Sequence, residues 1–320
     1  MFSKNLSVQL QDSGICLYRS LYTALRHWFC IPMAEHRLFF LSDGFSLRYQ
    51  IIAQGEPITR SIQYEDNDKA ISTLAKRLGI SCSYHPAPVK TPDGIAAAIL
   101  RHEPILLFTH VDALPYDPSG AMRSDAYHCI RVLHLSDSCL VYADDFVPKL
   151  RGGYSTRVER MDFEANRSFF RGYLSLSGGE HAQLSGDFST IFHDSILRFL
   201  QGGYSNDTAW GVTAMTRFLS DCRMMADMEF SERRCMDLMM ILKYQWYAAY
   251  EYLLSACQDL RLILPHRCSQ LDKINDLWRV CFLSLQSYLT SGRILFFRRF
   301  LSCAGRLGER LTAFLTSILE

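Results

Sequence analysis

Residues 13–29, with the sequence SGICLYRSLYTALRHWF, place a cysteine at the start of an amphipathic segment. Apolar side chains recur along it at helical spacing, at Leu17, Leu21, Leu25 and Trp28. This spacing predicts a helix over residues 15–29, for which Ser13 could act as the N-cap. Cys16 would then lie in the first helical turn, where the helix dipole and unpaired N–H groups favour a nucleophilic thiolate. A cysteine that simply packs in the core is the alternative.

A second stretch, residues 127–145, reads YHCIRVLHLSDSCLVYADD and predicts two paired strands with a hairpin turn at Asp137. His128 opens the first strand and Asp144 ends the second, so pairing brings both to the same edge of the sheet. A carboxylate beside an imidazole fixes its tautomer and stabilises the imidazolium. Asp145 competes with Asp144 for this role, and a packed or capping histidine is the alternative for His128.

These residues follow the chain order of papain-like catalytic sites: a cysteine at a helix N-terminus, a histidine that opens a strand, and an aspartate on the next strand. Cys16 would be the nucleophile, His128 the general acid and base, and Asp144 the residue that orients the imidazole. The amide of Gln11, shortly before the nucleophile, could help the Cys16 backbone N–H stabilise an oxyanion. Gln9 is equally available for this role.

The first half of the chain mixes helical and extended patterns, which predicts an α+β domain over residues 1–165. Helical spacing indicates further helices over residues 66–79 and 91–101. The apolar and aromatic stretch 39–52 predicts two strands, with Asp43-Gly44 as the turn between them. Other strands are expected over residues 105–109, 128–135 and 139–143.

From about residue 188 the strand signals disappear and long helical patterns follow. They predict an α-helical bundle domain over residues 188–320, joined to the first domain by a linker over residues 166–187. Pro265 is expected to separate two of its helices. The predicted helices cover residues 190–201, 209–228, 231–260, 270–290 and 292–319.

Composition and charge exclude several classes of protein. Of the 320 residues 48% are hydrophobic, too many for a disordered chain, and a net charge of +1 argues against a nucleic-acid-binding protein. No stretch of about 18 residues is apolar enough to span a membrane. The N-terminus also lacks the apolar segment of a signal peptide. A soluble, cytoplasmic protein is therefore expected.

The cysteines and histidines do not suggest a disulfide framework or a metal site. The 11 cysteines contain no CxxC pair, and reduced thiols in a cytoplasm are the simpler explanation. His102, His110 and His134 have no partners at metal-ligand spacing, so no metal is expected. A nucleotide-binding loop is not expected either, since neither GxGxxG nor GxxxxGK occurs.

Several segments, in order along residues 10–165, resemble the N-terminal domain of the butirosin biosynthesis protein H family. They are SGIC (13–16), MAE (33–35), LFF (38–40), AKRLG (75–79), EPILL (103–107), VDALPY (111–116), YHCIRV (127–132) and VYAD (141–144). One departure is Asp145-Phe146, where the related bacteriocin-processing peptidases commonly have Asp-Pro. The second half is more faintly similar, at residues 210–215 and 277–278, to the helical domain that often follows.

The resemblance implies a papain-like cysteine acyltransferase domain, with a central antiparallel sheet and a nucleophile helix, followed by an α-helical bundle domain. Such proteins take an acyl or aminoacyl group from the phosphopantetheine thioester of a carrier protein. They pass it through an acyl-cysteine, here acyl-Cys16, to an amine in natural-product biosynthesis of the nonribosomal peptide or polyketide type. No cofactor is implied besides the phosphopantetheine that the donor carries, and no ATP or metal is needed.

The expected partners are an acyl or peptidyl carrier protein and a small-molecule amine, without nucleic acid or membrane, and a homodimer is left open. Glu35 could contact the amine or form a surface ion pair. Asp112 and Tyr116, before His128, could line the acceptor pocket, or Asp112 could cap a turn and Tyr116 pack. An acidic carrier could dock on a basic face of the last helix, which could equally be a solvated face. That face comprises Arg293, Arg298, Arg299, Arg306 and Arg310.

Two other functions fit the same residues. A cysteine peptidase or amide hydrolase would use the same nucleophile, base and orienting carboxylate on the same scaffold. A non-catalytic scaffold would retain Cys16 as a structural residue. A catalytic Cys16 should react with iodoacetamide near neutral pH much faster than the other cysteines, which separates the enzymes from the scaffold.

Overall fold

The computed structural model describes residues 15–46, 48–50, 62–63, 67–86, 93–101, 103–114, 127–136, 138–148, 154–178, 186–205 and 208–320. The strands are β1 (Arg48–Gln50), β2 (Ile62–Gln63), β3 (Ser81–Pro86), β4 (Ile105–His110), β5 (Tyr127–Ser136), β6 (Cys139–Pro148), β7 (Tyr154–Asp162), β8 (Phe170–Ser177), β9 (Gly203–Ser205) and β10 (Thr208–Trp210). The helices are α1 (Cys16–Trp28), α2 (Glu35–Leu41), α3 (Asn67–Leu78), α4 (Asp93–Leu100), α5 (Phe163–Asn166), α6 (Phe188–Gln201), α7 (Gly211–Met225), α8 (Glu232–Ile241), α9 (Ala248–Asp259), α10 (Pro265–Ser291) and α11 (Ile294–Leu319). Within these ranges, no helix combines the length and the apolar character needed to cross a membrane.

The chain forms two compact units, and both helices and antiparallel sheets contribute to its α+β architecture, as predicted. The sheet unit takes its described residues from 14–42 and 68–187. The helical unit takes its described residues from 43–67 and 188–320. The chain therefore leaves the sheet unit after α2 and re-enters it with α3.

The sheet unit is built on a six-stranded antiparallel sheet in the order β3-β8-β4-β5-β6-β7. A core cluster packs alternate residues of the central strands against α4 and Phe163, including Ile105, Leu107, Ile130, Val132, Leu140 and Tyr142. Helix α1 packs against β5 and β6. Its Leu21 and Leu25 are 1% and 0% exposed, and burial of such a side chain stabilises the fold by about 2 kcal/mol.

The helical unit contains α6 to α11 and a four-stranded antiparallel sheet in the order β2-β1-β10-β9. A π-helical segment, Leu242–Tyr247, joins α8 to α9. Helices α10 and α11 pack against each other and are joined by a short turn. In this turn Gly292 adopts a φ of +63°, a left-handed conformation that glycine accepts without strain.

Several predicted elements are confirmed within one or two residues, because their periodicity is strong. The helices predicted over 15–29, 66–79 and 91–101 are α1, α3 and α4, and Gly79 ends α3 with a φ of +66°. The strands predicted over 105–109 and 128–135 are β4 and β5.

The prediction of two strands over residues 39–52 is wrong. Residues 35–41 form α2, a 3₁₀ turn covers Gly44–Ser46, and the remaining strand is the short β1. The four last residues of α2, Leu38 to Leu41, are all buried, and a short, fully buried helix has the same continuous apolar pattern as a buried strand. Asp43 adopts a φ of +57° before the turn and does not belong to a hairpin.

The predicted boundaries of the two domains also require correction. Strand β8 lies inside the predicted linker 166–187 and pairs with both β3 and β4. The helical half contains two short strands, β9 and β10, and β10 pairs with β1 from the first half of the chain. Residues 231–260, predicted as one helix, comprise α8, the π-helical segment and α9.

Two local predictions near the candidate site are wrong as well. The N-cap position of α1, expected at Ser13, is Ile15, which makes no side-chain capping hydrogen bond, and Ser13 lies outside the described residues. Asp144 does not end its strand, since β6 continues to Pro148.

Candidate active site

Cys16 is the first residue of α1, so it lies at the end of the helix where backbone N–H groups have no partner within the helix. A buried hydrogen bond holds this helix on the sheet: the Ser20 hydroxyl donates to the Cys129 carbonyl at 3.1 Å. Because Cys129 follows His128 directly, the bond ties the first turns of α1 to the part of β5 that carries the imidazole.

His128 is buried near the start of β5, opposite Thr109 of β4. Its Nε2 lies 2.8 Å from Asp144 Oδ1. The Cys16 side chain is the second neighbour of the imidazole, and its hydrogen bonding and charge act to raise the pKa of His128. Since Nε2 faces the carboxylate, Nδ1 is the nitrogen left for the thiol. The structure thus brings together the three residues predicted as nucleophile, base and orienting residue.

A β-bulge sets the position of Asp144. The register between β6 and β7 shifts between Asp144 and Val147, which places one extra residue on β6. The Phe146 N–H donates to Asp144 Oδ1 at 2.8 Å and closes the bulge. Bulges bend a strand and redirect its side chains. Here the same carboxylate oxygen accepts from the backbone and faces His128.

Two opposing effects act on the His128 imidazole. Burial lowers its pKa, but the hydrogen bonds to Asp144 and Cys16, together with their negative charges, outweigh burial and raise the pKa of His128 well above its usual value near 6.5. The raised pKa favours the protonated imidazolium form of His128 beside Cys16. A charged imidazolium stabilises an adjacent thiolate, which is the reactive form of cysteine.

The structure distinguishes the two adjacent aspartates. Asp145 is paired with Arg131 through two hydrogen bonds, Nε to Oδ2 at 2.9 Å and Nη2 to Oδ1 at 3.1 Å. The Thr156 hydroxyl donates to Asp145 Oδ1 at 2.8 Å. Asp144 therefore faces His128, and Asp145 is occupied by a buried ion pair.

Two of the other predicted substrate contacts have partners of their own, and two fall outside the described residues. Glu35 forms an ion pair with Arg19 of α1 at 2.6 Å. Asp112 lies in a 3₁₀ turn after β4, where its backbone N–H donates to His110 Nδ1. Gln11 and Tyr116 fall outside the described residues.

Sequence reasoning missed Ser20, Arg131, Phe146 and Thr156. A signal existed for Arg131, because a charged residue within the apolar run of β5 requires a buried partner of opposite charge. The ring of Phe146 lies 6.1 Å from the His128 ring, between centroids, and stacks on Tyr154 at 4.1 Å. Ser20, Phe146 and Thr156 have ordinary residue types for their elements and gave no signal.

Burial keeps several other thiols of the chain neutral. It raises the pKa of Cys82, Cys235 and Cys257 to about 12. Burial, followed by the charge of Cys16, also raises the pKa of Cys129. A thiol that stays protonated is a poor nucleophile, so these cysteines differ chemically from one in contact with an imidazolium.

Within the described ranges, no group of three or more His, Cys, Asp or Glu side chains is placed to hold a metal ion. A scan against protein-family models gives no match to this chain, and a search of curated proteins finds no significant match.

Proposed function

We propose that this protein is a cysteine acyltransferase whose sheet unit is a papain-like domain. The proposal rests on one observation, the placement of the His128 imidazole 2.8 Å from Asp144 and close enough to Cys16 for that side chain to raise its pKa. A nucleophile, a base and an orienting carboxylate in this geometry are what covalent acyl transfer requires. The resemblance to butirosin biosynthesis protein H domains supports a carrier-protein thioester as the donor.

In the first half-reaction, the Cys16 thiolate attacks the carbonyl carbon of the donor thioester. The Cys16 backbone N–H, at the start of α1, has no acceptor within the helix and would donate to the tetrahedral oxyanion. The intermediate collapses with cleavage of the carbon–sulfur bond to phosphopantetheine. The departing thiolate takes the proton of the His128 imidazolium, which leaves acyl-Cys16 and a neutral His128.

In the second half-reaction, an amine attacks the carbonyl carbon of acyl-Cys16 and transfers a proton to His128. Collapse of the second intermediate breaks the bond to the Cys16 sulfur. The amide product departs, and the thiolate and the imidazolium are restored. The first step exchanges one thioester for another at little cost in free energy, and amide formation makes the second step favourable. The overall reaction therefore needs no ATP. Water in place of the amine would give a hydrolase.

The first experiment is intact-protein mass spectrometry after incubation with a panel of acyl-pantetheine thioesters. The wild-type protein is expected to gain the mass of one acyl group. Cys16→Ala is expected to gain none, whereas Cys30→Ala, which removes an exposed thiol of the same unit, should load like the wild type. No gain with any donor, or equal gain by Cys16→Ala, would contradict the proposal.

A second step distinguishes transfer from hydrolysis. The loaded protein is mixed with a panel of primary amines, and the products are identified by mass spectrometry. Transfer predicts an amide and faster loss of the acyl group when the amine is present. Release of the free acid at the same rate with and without every amine would instead indicate the hydrolase.

A further inference from the structure

The Arg131–Asp145 ion pair joins β5 and β6, the two strands that carry His128 and Asp144. The two side chains are 9% and 0% exposed. The guanidinium carbon of Arg131 lies 5.2 Å from the centre of the Trp28 ring, within the range of a cation–π contact. With the Thr156 hydroxyl on Asp145, the group joins the last residue of α1 to the three strands β5, β6 and β7. These four residues, Trp28, Arg131, Asp145 and Thr156, are called the clamp below.

Stability alone does not explain the clamp. A buried ion pair loses the hydration of both charges, and apolar residues of similar volume often stabilise a fold equally well. What the ion pair supplies is a fixed orientation of the Asp145 side chain. Three hydrogen bonds hold the Asp145 carboxylate, two from Arg131 and one from Thr156.

The clamp contacts β6 at the β-bulge that fixes the position of the Asp144 carboxylate. Asp145 follows Asp144 directly and lies within the segment where the register shifts. A bulge residue lacks regular ladder pairing, so its position depends on side-chain contacts. Arg131 and Thr156 hold the Asp145 side chain. They therefore also restrict the backbone of Asp145, which directly follows Asp144. The ion pair also prevents Asp145 from acting as a second free carboxylate near the imidazole.

We propose that Arg131, Asp145 and Thr156 are positioning residues that hold the Asp144 carboxylate on His128 Nε2. The inference rests on the proposed function for its catalytic meaning, since it assumes that Cys16 and His128 form the reactive pair. The geometry it describes can be tested without any acyl donor.

The main test replaces the pair by apolar residues in the double variant Arg131→Met, Asp145→Leu. The variant keeps the net charge, so the overall field at His128 changes little. Nuclear magnetic resonance of histidine-labelled protein measures the titration of His128 directly. A loosened Asp144 is expected to move the His128 midpoint downwards, towards 6.5, and to slow iodoacetamide labelling of Cys16 at pH 7 by roughly tenfold to a hundredfold.

The control replaces an ion pair of the same unit, in the variant Arg101→Met, Glu103→Leu. The Arg101 side chain is 59% exposed, and its Nε lies 2.7 Å from Glu103. This change should leave the His128 titration and Cys16 labelling as in the wild type. A clamp variant that folds with the wild-type His128 titration and labelling rate would overturn the proposal.

A second variant decides the question if the double variant does not fold. Thr156→Val removes one hydrogen bond to Asp145 and leaves both charges in place. It is expected to move the His128 midpoint in the same direction by a smaller amount, and an unchanged midpoint would overturn the proposal. If the midpoints shift as expected but no thioester loads the wild type, the clamp is supported and the acyltransferase proposal alone fails.

Discussion

At the scale of single residues, His128 has two different neighbours for its two ring nitrogens. Asp144 faces Nε2 at 2.8 Å and Cys16 contacts the imidazole, while burial disfavours the charged ring. The charged neighbours outweigh burial, and the pKa of His128 is raised. A raised pKa favours the protonated ring, which is the form that can donate a proton to a leaving thiolate.

The raised pKa of His128 predicts where the acylation rate falls at high pH and in which direction a variant shifts this limb. Loss of the imidazolium proton at high pH removes the acid that protonates the leaving thiol. The alkaline limb of Cys16 acylation is therefore expected well above pH 6.5. Asp144→Asn removes the charge that raises the pKa of His128 and leaves the lowering effect of burial, so the limb should move to lower pH. The rate at its optimum should fall roughly a hundredfold or more.

The measurement is the pH–rate profile of acyl-Cys16 formation for both proteins. Asp162→Asn, on β7, serves as the control, because Asp162 accepts a hydrogen bond from the Ala165 N–H as the N-cap of α5. An alkaline limb that stays in place in Asp144→Asn would show that this carboxylate does not govern the imidazole.

At the scale of elements, the site depends on how α1 is held against β5. The two leucines of α1 supply non-directional packing. The hydrogen bond from Ser20 to the Cys129 carbonyl adds direction. Because Cys16 lies one helical turn before Ser20 and His128 precedes Cys129, a small slide of the helix would separate the thiol from the imidazole.

Ser20→Ala is expected to reduce the free energy of unfolding by about 1 kcal/mol, since one buried hydrogen bond is lost. It should also slow iodoacetamide labelling of Cys16, because the helix is less firmly placed. Denaturant unfolding and mass-resolved labelling measure the two effects. The control is Thr23→Ala, whose hydroxyl donates to the Arg19 carbonyl within the same helix. Equal labelling rates in the two variants would argue against the role given to Ser20.

At the scale of the whole molecule, the chain carries its candidate chemistry on one unit and a cationic helix on the other. Four of the five arginines named for the last helix lie on α11, Arg293 is its N-cap, and all five are exposed. Phosphopantetheine carriers are expected to be acidic, and opposite charges accelerate association in a salt-dependent manner. The helical unit therefore supplies a candidate surface for the donor protein.

The double variant Arg298→Glu, Arg299→Glu is expected to slow acyl transfer from a loaded carrier protein by about tenfold at low salt, and less at high salt. Loading from a small acyl-pantetheine should be unchanged. The control variant Lys273→Glu, Arg279→Glu changes the charge of exposed residues on α10 by the same amount. Transfer kinetics at two salt concentrations measure the effect. The same loss in both variants would show that α11 is not a specific docking surface.

Much of the candidate site could be predicted from the sequence because its determinants are local. Apolar spacing placed Cys16 at the start of a helix, and two apolar runs around a turn placed His128 and Asp144 on paired strands. The wrong predictions also arose from local sequence patterns. The buried end of helix α2 carries the apolar pattern of a strand. Strand β8 does alternate, with Leu174 and Leu176 each followed by a serine and two glycines after the strand, but the run is short and lies within the segment predicted as a linker.

Periodicity within each segment was enough to predict the α+β class and the helix and strands that carry Cys16, His128 and Asp144. Only the tertiary structure decided that Asp144 faces His128 while Asp145 pairs with Arg131. The ion pair of Glu35 with Arg19 and the position of β8 between β3 and β4 were likewise visible only in the tertiary structure. The physical reason is that adjacent carboxylates look alike in a sequence. A bulge in the sheet register and a buried cation from another strand determine which of them reaches the imidazole.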